Sequence, residues 1–192
     1  MYFVYRNGRY IDVAGRRFCD FMAGRVPELA GIEPTIGDFA DHMTTVFTDV
    51  RLKRFLEMRG ADAGSPEMLV ALPAFWVGLL YDELALGAAE AVLAGQGYAE
   101  FSAMRSAVPR AGLDATWKRG TLRDLAREIL PVARAGLHRR NRRDASGRTE
   151  GDYLYPIEVI ANGGPTQAEH WLKRFGTNWG GKADLIFLEA SI

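Results

Sequence analysis

The run RLKRFLEMRGAD, Arg51 to Asp62, sets one carboxylate, Glu57, among Arg51, Lys53, Arg54 and Arg59. A hard cation such as Mg²⁺ takes carboxylate oxygens, and phosphate takes Arg in a fork geometry. Read as a single strand from Arg51 to Arg59 that stops at Gly60, the run alternates. Phe55, Glu57 and Arg59 share one face, and Arg54, Leu56 and Met58 share the other. A rigid strand holds a carboxylate and a guanidinium in fixed relation better than a loop does. The plain structural alternative is an exposed ion pair of little energetic worth. For Arg51, Lys53 and Arg54 the alternative is an edge strand that uses charge against association. Upstream, His42 with Thr44 and Thr45 reads as polar lining for a substrate pocket, or as a helix end with hydroxyl caps.

The elements that must position this run follow from local signals. Phe3–Arg6 and Arg9–Asp12 flank Asn7-Gly8, the strongest short-range hairpin signal, because both turn residues need positive φ. A two-stranded hairpin alone is marginal in water, so the chain opens inside a sheet whose other strands lie elsewhere. Residues 13–34 read as a loop with a short helix near Arg16 to Ala23. Thr35 with Asp38 forms a capping-box pattern that opens a helix to about Thr44. Ser65-Pro66-Glu67 starts a helix to about Asp82 that is apolar nearly all round and should be buried, with a kink at Pro73. Further helices are expected over Ala85–Ala94, Ala99–Ser106 and, after Thr121 and Asp124, along Leu122, Leu125, Ile129, Val132, Ala133 and Leu137. Arg139 to Arg148 reads as a solvated basic linker. Tyr153–Asn162 is a helix closed by Gly163 and Gly164. Thr166 with Glu169 opens another that turns Ala168, Trp171, Leu172 and Phe175 inward. Asp184 to Glu189 makes a short amphipathic end. Phe75, Trp76, Tyr81, Trp117, Trp171 and Trp179 read as core. Strands followed by helices give an α+β class.

The chain has 192 residues, with Lys plus Arg equal to Asp plus Glu at 24 each. This zero balance argues against nucleic acid or an anionic membrane as the main partner. The lone Cys19, between Phe18 and Phe21, reads as a small buried hydrophobe and can form no internal disulfide. His42, His138 and His170 lack metal-ligand spacing. Phosphate-loop and nucleophile-elbow motifs are absent. No run reaches the roughly 20 apolar residues of a membrane span, and the expected compartment is the cytoplasm.

The stretch DHMTTVFTDVRLKRFLEMRGADAGSPEMLVALPAFWVGLLYD, Asp41 to Asp82, resembles a block of glutamate–cysteine ligases of the plant and proteobacterial type. MYFVYRNGRYIDVAG, AVPRAGLDA, TLRDLAREIL, TQAEHWLKRF and NWGGKADLIFLE resemble further blocks of that family in the same order. The resemblance implies a partial glutamine-synthetase-like (carboxylate-amine ligase) fold, with the strands in residues 1–62 and helices in 63–192 of a single partial domain. It implies ATP-dependent joining of the γ-carboxylate of glutamate to the amine of cysteine, with Mg²⁺ on the phosphates. It makes Glu57 a metal ligand, and Arg59 the catalytic contact to nucleotide phosphate or acyl phosphate. Arg54 and Lys53 become supporting nucleotide contacts, and His42 and Thr44 weaker substrate contacts.

The family is longer, and its other acidic metal ligands lie in an N-terminal half. The chain therefore reads as the C-terminal part of a ligase, inactive without that half. The alternatives are one chain of a split ligase, or a non-catalytic module that pairs through its sheet edge. Plant members carry two regulatory cysteines; the matching positions here are Val13 and Glu28. Ala63 to Glu67 replaces a Gly-Pro-Trp-like run, and the basic stretch to Gly151 is longer than the family's.

Overall fold

The computed structural model describes residues 1–190. The chain divides into two units, Met1–Ala61 and Asp62–Ile192. In the first, β1 (Phe3–Arg6) and β2 (Arg9–Asp12) form the expected hairpin, Val4 opposite Ile11 and Tyr5 opposite Tyr10. Asn7 and Gly8 carry the positive φ values the turn requires, 51° and 78°. One hairpin face enters a core of Val4, Val13, Phe21, Val26 and Leu29; the other presents Phe3, Tyr5 and Tyr10 in ring contact. The short helix α1 (Phe18–Met22) buries Phe21, while Cys19 is exposed. That corrects the expectation for the thiol. A five-residue helix turns a single side chain inward, and here Phe21 takes that place.

Helix α2 (Ile36–Thr44) starts at Thr35 with the predicted capping box. Its Asp38 is the single buried charged residue among those described, 6% exposed. The carboxylate accepts from Arg6 Nη1 at 2.5 Å and Nη2 at 2.6 Å, and from Thr35 N and Oγ1, each at 2.7 Å. The Arg6 guanidinium, above all, holds the Asp38 carboxyl at about 2, below its ordinary 3.8. A lowered folded-state value stabilises the fold above the unfolded value, and that stabilisation is lost as pH falls through the folded one. From pH about 4 to about 2 the first unit should therefore lose about 2 kcal/mol. Hydrogen exchange of the β1–β2 amides checks this. Protection should fall steeply in that interval, and Asp38→Asn should flatten the fall. Equal protection at pH 2 and 6 would refute it.

The Arg51–Arg59 run is a hairpin and not one strand: β3 (Val50–Leu52) pairs antiparallel with β4 (Leu56–Met58). Lys53, Arg54 and Phe55 make the turn, and Lys53 N–H donates to the Phe55 carbonyl at 2.9 Å. No residue of this turn has positive φ, so it needs no Gly or Asn and leaves no such mark in the sequence. The predicted faces change accordingly. Val50, Leu52, Leu56 and Met58 share one face, with Arg51 opposite Glu57 on the other.

In the second unit, α3 (Pro66–Leu80) and α4 (Glu83–Leu93) pack on the long helix α6 (Leu122–Arg140). The core is Leu79, Ala89, Ala133, Leu137 and Leu154, backed by Phe75, Trp76, Ile129, Val132 and Ile157. Helix α5 (Tyr98–Ala111) buries no residue. A small hairpin of β5 (Thr116–Trp117) and β6 (Gly120–Thr121) precedes α6, whose capping box at Thr121 and Asp124 is as predicted. After it come α7 (Tyr155–Ala161), α8 (Gln167–Gly176) and α9 (Ile186–Glu189). The mixture of helices with small antiparallel hairpins is α+β. No single helix among the described residues is long and apolar enough to cross a membrane.

Three burial expectations fail here. Helix α3 is not buried all round: Ala71, Gly78 and Leu79 are buried, but Leu69 is 54% exposed and Val70 is exposed beside it. Tyr81 is 71% exposed with Arg140 over its ring, while Trp117 and Trp179 are buried as expected. The apolar stripe of α8 is not covered: Ala168 and Leu172 are exposed, Phe175 is partly so, and Trp171 alone stacks on Trp179. The basic stretch is also more ordered than a solvated linker. Asp144 accepts from Ser146 N and Oγ, Arg148 N and Tyr153 Oη, and Arg139 and Arg140 are paired to Asp82 and Glu150.

Candidate functional site

Hairpin β3–β4 gathers its charges because cross-strand neighbours on one face lie within side-chain reach. Arg51 sits directly opposite Glu57, and its Nε donates to Glu57 Oε2 at 2.7 Å. Arg59 Nε lies 3.7 Å from the same oxygen, and Lys53 Nζ lies 4.0 Å from Oε1. The Arg51 hydrogen bond, with the charges of Arg51, Lys53 and Arg59, holds the Glu57 carboxyl below its ordinary value, so it stays ionised at neutral pH. Arg59 N–H donates to the Asp49 carbonyl at 2.7 Å and so extends the ladder one step past β4. The Arg59 guanidinium also lies 5.8 Å from the Phe47 ring centroid, which limits its swing.

One face therefore carries a single carboxylate surrounded by three cations, an excess of positive charge suited to an anion with several oxygens. The fourth predicted cation, Arg54, stands exposed at the turn. Among the described residues, no three His, Cys, Asp or Glu side chains converge as a metal group. Mg²⁺ is commonly held by one or two carboxylates together with substrate phosphates, and Glu57 fits that role as one oxygen ligand.

His42 and Thr44 are placed otherwise. The His42 ring stacks on Phe18, centroids 5.5 Å apart and planes 3° from parallel, and its Nδ1 is buried without a hydrogen bond. Burial holds the imidazole below its usual value. Thr44 Oγ1 donates to the Asp41 carbonyl, and Thr45 Oγ1 to the His42 carbonyl. These are the helix-end contacts of the structural alternative. Phe47 carries no mark in the sequence; an aromatic four residues before a charged strand gives no signal until the hairpin folds Arg59 back over it.

Residues 1–189 match the family described as glutamate-cysteine ligase family 2 (GCS2). Over 189 residues the chain is 44% identical to glutamate–cysteine ligase A, chloroplastic, of Oryza sativa subsp. indica, covering 98% of this chain and 37% of that protein. It is 43% identical to the Brassica juncea chloroplastic enzyme of that name, covering 98% and 36%. For that of Arabidopsis thaliana the identity is 42%, covering 98% and 35%. The chain thus spans little more than a third of the length of the curated relatives it matches.

Proposed function

The chain belongs to glutamate–cysteine ligase family 2, and on that premise we propose that hairpin β3–β4 carries the phosphate-facing part of an ATP-dependent ligase. The reaction joins the γ-carboxylate of glutamate to the amine of cysteine. A γ-carboxylate oxygen attacks the terminal phosphorus of ATP, giving γ-glutamyl phosphate and ADP. The cysteine nitrogen then attacks the acyl carbon, phosphate leaves, and the amine gives up a proton. Phosphoryl transfer is driven mainly by positioning and by neutralising charge on the transferring group. Arg59 contacts the nucleotide or acyl phosphate, Lys53 and Arg54 add positive charge at the same end, and Arg51 orients Glu57. Glu57 supplies one oxygen ligand to Mg²⁺, whose chemistry is to neutralise phosphate charge. The other acidic ligands and most contacts to glutamate and cysteine come from residues beyond the third of the family's length that this chain matches.

One observation carries this reading: the hairpin is amphipathic. Its Arg51–Glu57 face is charged, and its Val50, Leu52, Leu56 and Met58 face is apolar. A strand pair charged on one side and apolar on the other suits a glutamine-synthetase-like funnel, polar within and packed against helices outside. The plant relatives are named chloroplastic; for this chain we keep the cytoplasm as the proposed compartment.

The test is a chimaera in which residues 1–189 replace the matching segment of the Oryza sativa relative. It should consume ATP and form γ-glutamylcysteine only with glutamate and cysteine both present, while the 192-residue chain alone forms none. A folded chimaera that forms no product, or a 192-residue chain that does, would overturn the reading.

A further inference from the structure

The second unit holds a cleft of about 370 Å³ lined by Pro131, Arg134, Ala135 and His138 of α6 and by Thr149 and Gly151 of the loop that follows. None of these residues belongs to hairpin β3–β4. Arg134 and His138 are four residues apart on one helix and so share a face. Arg134 is held by Glu158: Nε donates to Oε1 at 2.8 Å and Nη2 to Oε2 at 2.6 Å. Its Nη1 has no hydrogen-bond partner among the described residues and keeps two N–H groups to give. Gly151 leaves that nitrogen uncovered, since a Cβ there would lie 3.4 Å from it.

Of the other polar groups at the rim, the exposed His138 ring makes no hydrogen bond among the described residues and can meet a ligand, whereas Thr149 is already engaged. Thr149 N and Oγ1 both donate to Asp152 Oδ2, at 2.7 and 2.9 Å, so that hydroxyl proton and that oxygen are used internally. The floor is apolar, made by Pro131 and Ala135. Glu158 offsets the charge of Arg134 and Asp152 adds a second carboxylate close enough to act on it, so an anion here would be held by the Nη1 hydrogen bonds and not by net charge, which disfavours a dianion. A ligand that used the floor would carry an apolar body.

We propose that this cleft binds a small organic carboxylate, its oxygens on Arg134 Nη1 beside His138 and its apolar part on Pro131 and Ala135. Inorganic phosphate has no apolar part to place on that floor, and a neutral analogue has nothing for Nη1.

The experiment is titration of the 192-residue chain, followed by its ¹H–¹⁵N spectrum, with benzoate, benzyl alcohol and inorganic phosphate at constant ionic strength. Benzoate should saturate with a Kd of about 1 mM, and shifts should centre on residues 131–138 and 149–151. Benzyl alcohol and phosphate should bind at least about tenfold more weakly. Ala135→Leu fills the floor without touching the ion pair, and His138→Gln alters an exposed side chain. Each should weaken benzoate at least about fivefold, and the two variants share no structural failure. Three results would overturn the proposal: no saturable shift at these residues, phosphate binding as tightly as benzoate, or unchanged benzoate affinity in His138→Gln.

Discussion

Glu57→Gln in the chimaera is expected to lower kcat for γ-glutamylcysteine by about 10²-fold or more, the scale of losing one preorganised electrostatic group at a reacting phosphate. Gln keeps the shape and one acceptor oxygen but removes the charge that a hard cation requires. The same substitution should barely affect the fold. Glu57 and Arg51 side chains are 30% and 39% exposed, and ion pairs so placed contribute little to stability. Arg51→Gln separates the two roles. If Glu57 matters only as a partner of Arg51, both variants lose the same 2.7 Å contact and should behave alike. If Glu57 meets the metal, Arg51→Gln should cost about tenfold or less, since Lys53 and Arg59 still flank the carboxylate. Arg59→Lys should fall between them, keeping the charge and losing the fork. Equal kcat values for Glu57→Gln and Arg51→Gln, with unchanged thermal unfolding, would refute the assignment. So would a Glu57→Gln enzyme of undiminished rate at saturating Mg²⁺ and ATP.

What could be read from the chain follows from how local each signal is. The Asn7-Gly8 turn and the caps at Thr35, Ser65, Thr121 and Thr166 are contacts within four residues, and each starts its element where expected. The Lys53–Phe55 turn is as local but uses ordinary backbone angles, so nothing in its composition marks it. The charge cluster at Glu57 was legible in residue type, since one acid among cations is visible in any conformation. Its geometry was not: alternation along one strand paired Glu57 with Arg59, whereas the hairpin puts Arg51 closest. Long-range partners left no trace at all. Nothing near Arg6 announces Asp38, 32 residues on, and no pattern tells that the apolar stripe of α8 stays exposed at Leu172. A periodic stripe states which face seeks cover; it does not name the element that covers it.

The second large effect lies where two helices touch through glycine, and Gly136→Ala should destabilise the second unit by about 2 kcal/mol. An alanine in a helix interior ordinarily gains about 1 kcal/mol over glycine. At Gly136 a Cβ would lie 1.9 Å from the Gly78 carbonyl oxygen and 3.0 Å from Ala85 Cβ. At Gly78 a Cβ would meet the Ala133 carbonyl oxygen at 2.4 Å. Backbone atoms cannot rotate out of the way as a side chain can, so α3 and α6 must separate. Overpacking of this kind costs about 3 kcal/mol, enough to reverse the sign of the propensity gain. The separation would also open the contact of Ala133 and Leu137 with Leu79 at the centre of the core. Gly87 provides the control: it is interior to α4, exposed, and a Cβ there meets nothing within 4 Å. Gly87→Ala should stabilise by about 0.5 to 1 kcal/mol through propensity alone. Urea unfolding followed by tryptophan fluorescence reports this unit selectively, because Trp76, Trp117, Trp171 and Trp179 all lie in it. The midpoint should fall for Gly136→Ala and rise for Gly87→Ala. Gly78→Ala should also fall, and the double variant Gly78→Ala with Gly136→Ala should cost less than the two single losses added, since one enforced separation relieves both clashes. A Gly136→Ala protein as stable as the parent would mean that the two helices cross with more room than the glycine contact allows.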